Sequence, residues 1–172
     1  RFCRLEQKLE NTHIRTWTKY EDIFNTELTR SLKGECEFIT LVMLYLPNFL
    51  FISKEWVTIN LANIFNSNNY IAWLCAMQGY AYSSSPFEDI YKFLATEKHF
   101  LKALDDNNLS EQVKQSIINH AAIAYLNDFD TNVDYPSLVN EIISRNIHIE
   151  LSHLIWCFWA KRDEINDYII TK

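Results

Sequence analysis

Residues 110–126 have the sequence SEQVKQSIINHAAIAYL, which is the pattern of an amphipathic helix. Ser110 stands where an N-cap serine accepts a hydrogen bond from the first free backbone N–H groups. Apolar side chains then recur at every fourth position, which places them on one face of a helix. This face consists of Val113, Ile117, Ala121 and Tyr125. The stretch therefore predicts a helix that buries one side.

The rest of the chain carries similar helix signals. Its 172 residues include only two glycines and three prolines, fewer than strand-rich folds and their turns need. Gly34 stands where a C-cap glycine ends a helix, Ser53 stands at an N-cap position, and Ser85-Pro86-Phe87-Glu88 has the pattern of a capping box. The predicted helices cover residues 2–9, 20–32, 35–46, 53–65, 70–82, 86–104 with a break near 96, 111–125, 137–145, 147–161 and 163–170. We therefore expect an all-α fold, an irregular and helical-repeat-like array of about nine short antiparallel helices.

The size of the chain indicates one folded unit. A length of 172 residues and a mass of 20.4 kDa predict a single α-helical domain over residues 1–172. The chain begins with Arg1 rather than Met and ends just after the apolar stretch Tyr168–Ile170. We therefore expect a domain that was cut from a larger chain.

The cysteines favour a reducing compartment. They lie too far apart for the usual spacing of zinc sites or of small disulfide frameworks. The four positions are Cys3, Cys36, Cys75 and Cys157, and the apolar surroundings of the last two predict buried thiols. We therefore expect a cytoplasmic protein.

One uncharged run, from Phe38 to Ser53, could be mistaken for a membrane span. A span needs about 20 apolar residues. Here Glu37 and Lys54 bound the run, and Pro47 interrupts it. The sequence therefore predicts a buried core helix that ends near Pro47, and no membrane partner.

Charge is distributed unevenly along the chain. The formal net charge is −6, which argues against a broad nucleic-acid footprint. Residues 1–33 nevertheless hold seven of the sixteen Lys and Arg against five acids. Solvated helix faces account for this pattern, and a nucleic-acid-associated helical module is one alternative that it leaves open.

An alternation of oxygen-bearing side chains follows the helix at 111–125. Calcium loops place such ligands at their first, third, fifth and seventh positions. The candidates for this weak calcium site are Asp128, Asp130, Asn132 and Asp134. Val133 stands where the loop needs glycine, and Val139 stands where it needs the bidentate glutamate. We therefore favour an Asx-rich loop with helix caps over a cation site.

His148, Glu150 and His153 are zinc-binding residue types at an unsuitable spacing. Histidines four residues apart point to one side of a helix, whereas five residues separate them by about 140°. The isolated Gly34 and Gly79 form no phosphate-binding motif. We therefore predict no catalytic residue, no cofactor and no metal. A small helical enzyme with a pocket between helices remains an alternative, and convergent titratable groups in a cleft would indicate it.

The segment 147–160 has apolar side chains on more than one face. Leu151, Leu154, Ile155 and Phe158 are expected to fill one face. Trp156 and Trp159 then point elsewhere and need a second partner surface, which is either the final helix or another chain. We predict that these two indoles form an interface and that Trp159 makes the contact.

Four segments together resemble a known helical domain. They are Ala72-Trp73, Ile90–Leu94, Phe100–Leu104 and a long helix that ends near Tyr125-Leu126. Over about a third of the chain they resemble the helical C-terminal domain of unknown function in large bacterial proteins with sirtuin-like or NTPase modules, many of them assigned to anti-phage defence. The resemblance implies a sensing, scaffolding or oligomerising role and no catalytic residues. The expected function is a non-catalytic interaction or regulatory domain that binds a protein partner or other domains of its own chain.

Overall fold

The computed structural model describes residues 12–131 and 135–162, and 77% of these residues are helical. The described part contains nine helices and no strand, which confirms the prediction of an all-α fold. The helices are α1 Thr12–Leu32, α2 Glu37–Leu44, α3 Leu46–Ile64, α4 Tyr70–Ala81, α5 Glu88–Thr96, α6 His99–Asp105, α7 Glu111–Leu126, α8 Leu138–Arg145 and α9 His148–Ala160. The helices predicted at 2–9 and 163–170 lie outside the described residues.

The helices group into two compact units that divide between Ser84 and Ser85. Helices α1–α4 belong to the first unit and α5–α9 belong to the second. Each unit has its own buried core, with Trp73 among the fully buried side chains of the first and Phe100 among those of the second. The expectation of a single domain over residues 1–172 stays a prediction.

Helices α2 and α4 cross at close range in the first unit. Met43 and Trp73 are buried there, as expected for segments that are apolar nearly all round. A Cβ atom added to Gly79 on α4 would lie 2.4 Å from the carbonyl oxygen of Thr40 on α2. The Thr40 hydroxyl donates to the Cys75 carbonyl across the same crossing, at 3.4 Å. Glycine at position 79 therefore allows the two backbones to touch.

Most of the predicted caps are confirmed. Gly34 has φ +123°, and the N–H groups of Gly34 and Glu35 donate to the carbonyls of Ser31 and Arg30, which is the Schellman arrangement. Ser110 caps α7, and Ser53, a non-helical residue that breaks α3, caps the second part of that helix. Each serine accepts a hydrogen bond from the backbone N–H three residues later. These caps depend on neighbours in sequence, which is why the sequence pattern was sufficient to find them.

The capping box predicted at Ser85–Glu88 is wrong. Helix α5 begins at Glu88, and its N-cap residue is Phe87, which is extended and makes no side-chain cap. Glu88 and Asp89 lie in the first turn instead, where a carboxylate interacts favourably with the helix dipole.

The prediction of a buried core helix that ends near Pro47 is confirmed. Helix α2 ends at Leu44, and Pro47 lies in the first turn of α3, where proline needs no N–H partner. The two helices meet at a bend of 101°. Within the described ranges no single helix is long and apolar enough to cross a membrane, and this bent pair meets those criteria only when its two helices are taken together.

Candidate interaction surface

Helix α9 in the second unit has one buried side. Leu154 and Cys157 are buried on it, together with the carboxylate of Glu150. The prediction that Ile155 belongs to this side is wrong, because its side chain is solvent-exposed. One residue step turns a helix by about 100°, so burial of Leu154 rotates Ile155 away from the core.

An arginine holds the beginning of α9 in place. Arg145, at the end of α8, donates from Nε and Nη2 to the two carboxylate oxygens of Glu150, both at 3.0 Å. Its Nη2 also donates to Asp105 at 2.7 Å, so three helices share one guanidinium. These hydrogen bonds raise the pKa of Arg145. A bidentate pair of this kind restrains geometry as well as charge.

The outer side of α9 is unusually apolar. Ile149, Ile155, Trp156 and Trp159 are 65%, 66%, 56% and 60% exposed. Ile149, Trp156 and Trp159, together with the exposed Ser152, follow one another at spacings of three, four and three residues. This alternation of three and four residues is the spacing with which one helix packs along another. We call the outer side of α9 the α9 seam, which consists of Ile149, Ser152, Ile155, Trp156 and Trp159.

Both indoles of the α9 seam have partners close in sequence, one on α9 and one just after its C-terminal end. The ring of Trp156 stacks on His153 with centroids 5.6 Å apart, and His153 Nε2 lies 3.1 Å from the Gln115 carbonyl oxygen. The guanidinium of Arg162 lies 4.2 Å from the centre of the Trp159 ring. Both rings therefore hold defined orientations before any partner binds, which reduces the entropy that binding removes.

The candidate calcium loop has a structural role in the described part of the chain. Both carboxylate oxygens of the buried Asp130 accept hydrogen bonds from protein donors: Tyr91, Ser137, Leu138 and Val139. Asp128 is exposed and has φ +66° where α7 ends. Asn132 and Asp134 lie outside the described residues. The arrangement favours the interpretation as helix caps.

The histidines and cysteines that the structure describes do not assemble into a metal centre. Among the described residues no three His, Cys, Asp or Glu side chains converge on one point. Cys157 is buried as predicted, while Cys75 is only partly buried. Cys36 is buried, and this burial raises the pKa of its thiol to about 11, with a smaller contribution from Cys75. The Cys36 thiol therefore stays protonated at neutral pH, which disfavours nucleophilic chemistry.

A cleft of about 240 Å³ in the second unit brings titratable groups together, as the enzyme alternative requires. Asp105 and Glu150 are both bound by Arg145, and Lys114 lies 3.8 Å from Glu111. The hydrogen bond from Arg145 lowers the pKa of Asp105, so this carboxylate is ionised at neutral pH and is a poor general acid. The charges of the cleft pair with one another, which favours a structural clamp.

The basic residues of α1 do not form an uninterrupted face. Arg30 pairs with Glu27 at 3.0 Å and also with Glu35. Glu21 and Asp22 lie between the basic positions Lys19 and Arg30. This distribution offers little support for the nucleic-acid alternative.

No family model, no curated protein and no solved structure matches the chain. The resemblance to the helical domain of bacterial defence-type proteins therefore stays a prediction.

Sequence reasoning missed the Arg145 clamp and the four-donor role of Asp130. Asp105 and Arg145 are forty residues apart, and nothing in a single sequence pairs them. Asp130 precedes the serine that caps α8 by seven residues, beyond the usual range of capping patterns.

Proposed function

We propose that this chain is a non-catalytic interaction domain of a larger cytoplasmic protein, and that the α9 seam binds an amphipathic helix of a protein partner. The exposure of two indoles and two isoleucines on one helix carries the proposal. A monomeric surface rarely leaves so large an apolar cluster without a function. Trp is also the residue type most enriched at binding hot spots.

The chemistry of the partner follows from the spacing and the charges of α9. A helix with apolar residues at alternating spacings of three and four complements positions 149, 152, 156 and 159. Lys161 and Arg162 follow the seam at its C-terminal end, and the one carboxylate of α9, Glu150, is bound by Arg145. Carboxylates on the partner helix would therefore match this end of the seam.

Alanine substitutions at Trp156 and Trp159 test the proposal. Each should change the free energy of unfolding by less than about 1 kcal/mol, because little buried contact is lost at an exposed position. Trp159→Ala should nevertheless weaken the binding of the partner protein to this chain at least about tenfold, as truncation of a hot-spot indole does. Denaturant melts measure the first quantity, and sedimentation together with pull-down by the tagged chain measures the second.

Two control variants make the outcome decisive. Trp73→Ala removes a fully buried indole and should cost about 3–5 kcal/mol of stability. Ile143→Ala shortens an exposed apolar residue of α8, outside the seam, and should leave association unchanged. If the seam variants lose as much stability as Trp73→Ala while association is untouched, the indoles are core residues and the proposal is wrong.

A further inference from the structure

A second surface feature lies in the first unit, in a groove between α1 and α3. Two tryptophans and two glutamates line a cleft of about 200 Å³: Trp17 and Glu21 from α1, and Glu55 and Trp56 from α3. The volume is below the roughly 300–1,000 Å³ of sites that enclose a whole drug-sized molecule. It suits one functional group of a ligand.

The two indoles form a rigid wall. Their ring centres are 5.7 Å apart with planes inclined by 54°, and Phe24 packs within 6.0 Å of both rings. The Trp56 Nε1–H donates to the Asn25 Oδ1 at 2.8 Å, so its polar edge is satisfied inside the fold. The faces of such rings carry partial negative charge, which attracts a cation placed against them.

The two carboxylates border this wall without a cation of their own. Glu21 and Glu55 are both exposed, and neither makes an ion pair with any residue in the part of the chain that the structure describes. Glu27, on the same α1 helix, differs in that it pairs with Arg30. Glu55 also lies in the first turn after the break at Ser53, where the helix dipole favours an acid. That explanation does not extend to Glu21, in the interior of α1.

We propose that this cleft binds an alkylammonium group. A methylated ammonium presents a positive charge inside an apolar envelope, which suits the partly exposed ring of Trp17, with the buried Trp56 behind it and the two carboxylates at the border. A strongly hydrated inorganic cation would lose more water than the exposed carboxylates replace. The chemistry is common to free quaternary amines and to methylated lysine side chains, and the experiment below separates these sources.

The test is an NMR titration of the full chain at constant ionic strength. The side-chain N–H signals of its five tryptophans report each indole separately once Trp→Phe variants have assigned them. Choline should shift the Trp17 and Trp56 signals with saturation at millimolar concentration. The neutral compound 3,3-dimethylbutan-1-ol, which has the same shape without the charge, should bind at least about fivefold more weakly. A short peptide that contains trimethyllysine is compared with the same peptide containing lysine and with choline. This comparison shows whether the site prefers a methylated lysine side chain to a free quaternary amine.

Variants that remove the charges of the two glutamates test whether these carboxylates contribute to choline binding. The double variant Glu21→Gln/Glu55→Gln should weaken choline binding about tenfold, while its helical circular dichroism stays unchanged because both positions are exposed. Asp22→Asn removes an exposed acid from the same helix outside the cleft and is the matched control. Trp156 and Trp159 are internal controls, since they are exposed indoles that do not line the cleft.

Four results would overturn the proposal. Equal shifts at Trp156 and Trp159 would show that choline contacts any exposed indole. Equal binding of the neutral analogue, or full binding by the double glutamine variant, would show that charge is not recognised. Absence of saturation at Trp17 and Trp56 would show that there is no site.

Discussion

The carboxylate of Asp130 connects the end of one helix with the beginning of another. Its Oδ1 accepts from the Tyr91 hydroxyl at 2.6 Å and from the Leu138 N–H at 2.9 Å. Its Oδ2 accepts from the Ser137 hydroxyl at 2.7 Å and from the Val139 N–H at 3.0 Å. The two backbone donors are free N–H groups at the start of α8, which need partners where the helix end is buried. One buried side chain thus satisfies four donors.

Replacement of Asp130 should therefore be severe. Asp130→Ala leaves these donors without their acceptor, and we expect a loss of about 3 kcal/mol or more in the free energy of unfolding. Urea melts followed by circular dichroism measure the loss. Tyr91→Phe removes only one of the four hydrogen bonds and should cost about 1 kcal/mol. Similar losses for both variants would contradict the four-donor role.

His99 makes the stability of the second unit depend on pH. Burial, and to a smaller extent the charge of Lys102, lower the pKa of this histidine to about 4. The unfolded chain takes up a proton near the ordinary pKa of 6.5, whereas the folded chain does so only near 4. The stability contributed by neutral His99 is therefore complete above pH 6.5 and is lost as the pH falls toward 4.

His99→Gln should flatten this pH profile. Between pH 7 and pH 4.5 the free energy of unfolding of the unmodified chain should fall by about 2 kcal/mol more than that of the variant. The comparison uses the difference between two pH values, so a constant loss of packing in the variant cancels. His148→Gln, at an exposed position, is the matched control. Parallel profiles for the unmodified chain and His99→Gln would refute the assignment.

At the scale of helices, Gly79 and Gly34 are each required to be glycine, but for different physical reasons. Gly79 has no free space, since an added Cβ would approach the Thr40 carbonyl oxygen at 2.4 Å and the Met43 Cβ at 3.0 Å. Gly34 has open space around it, but its φ of +123° is one that other residues rarely adopt. The first is a requirement of packing between α2 and α4, and the second is a requirement of the backbone where α1 ends.

Substitutions of increasing size separate these two reasons. Gly79→Ala should cost about 2 kcal/mol after the gain in helix propensity, and Gly79→Val should cost clearly more, because α2 is displaced further. Gly34→Ala and Gly34→Val should each cost about 1–2 kcal/mol, with little dependence on size. Thermal or urea melts of the four variants measure the trend. A loss at Gly79 that does not grow with side-chain volume would contradict the close crossing.

At the scale of the whole molecule, the units present surfaces of different character. The first has a cleft with two carboxylates beside indoles, neither of them ion-paired within residues 12–131 and 135–162, and the second has the α9 seam, whose end is basic. Charged residues elsewhere on the described helices are often paired, as Arg145 is with Glu150 and Arg30 with Glu27. The two proposals therefore rest on the exposed side chains of the α9 seam and on exposed carboxylates beside an aromatic cluster that is partly core.

The sequence alone determined the helical class of the chain and most of its helix boundaries. Few glycines, apolar spacing of three and four, and caps such as Ser110 and Gly34 act within a few residues, so they are visible in one sequence. The capping pattern at Ser85 failed because Phe87 is extended, so that α5 begins only at Glu88. Competing local patterns are resolved by tertiary packing.

The tertiary structure alone decided which side chains meet and which side of α9 faces solvent. Periodicity identified two apolar faces on α9 but not the rotation about its axis, which the burial of Leu154 and the anchoring of Glu150 by Arg145 set. Trp17 and Trp56 are thirty-nine residues apart, and Asp105 is forty residues from Arg145. Contacts at such separations depend on the whole packing of the helices, and that packing leaves no periodic trace in the sequence.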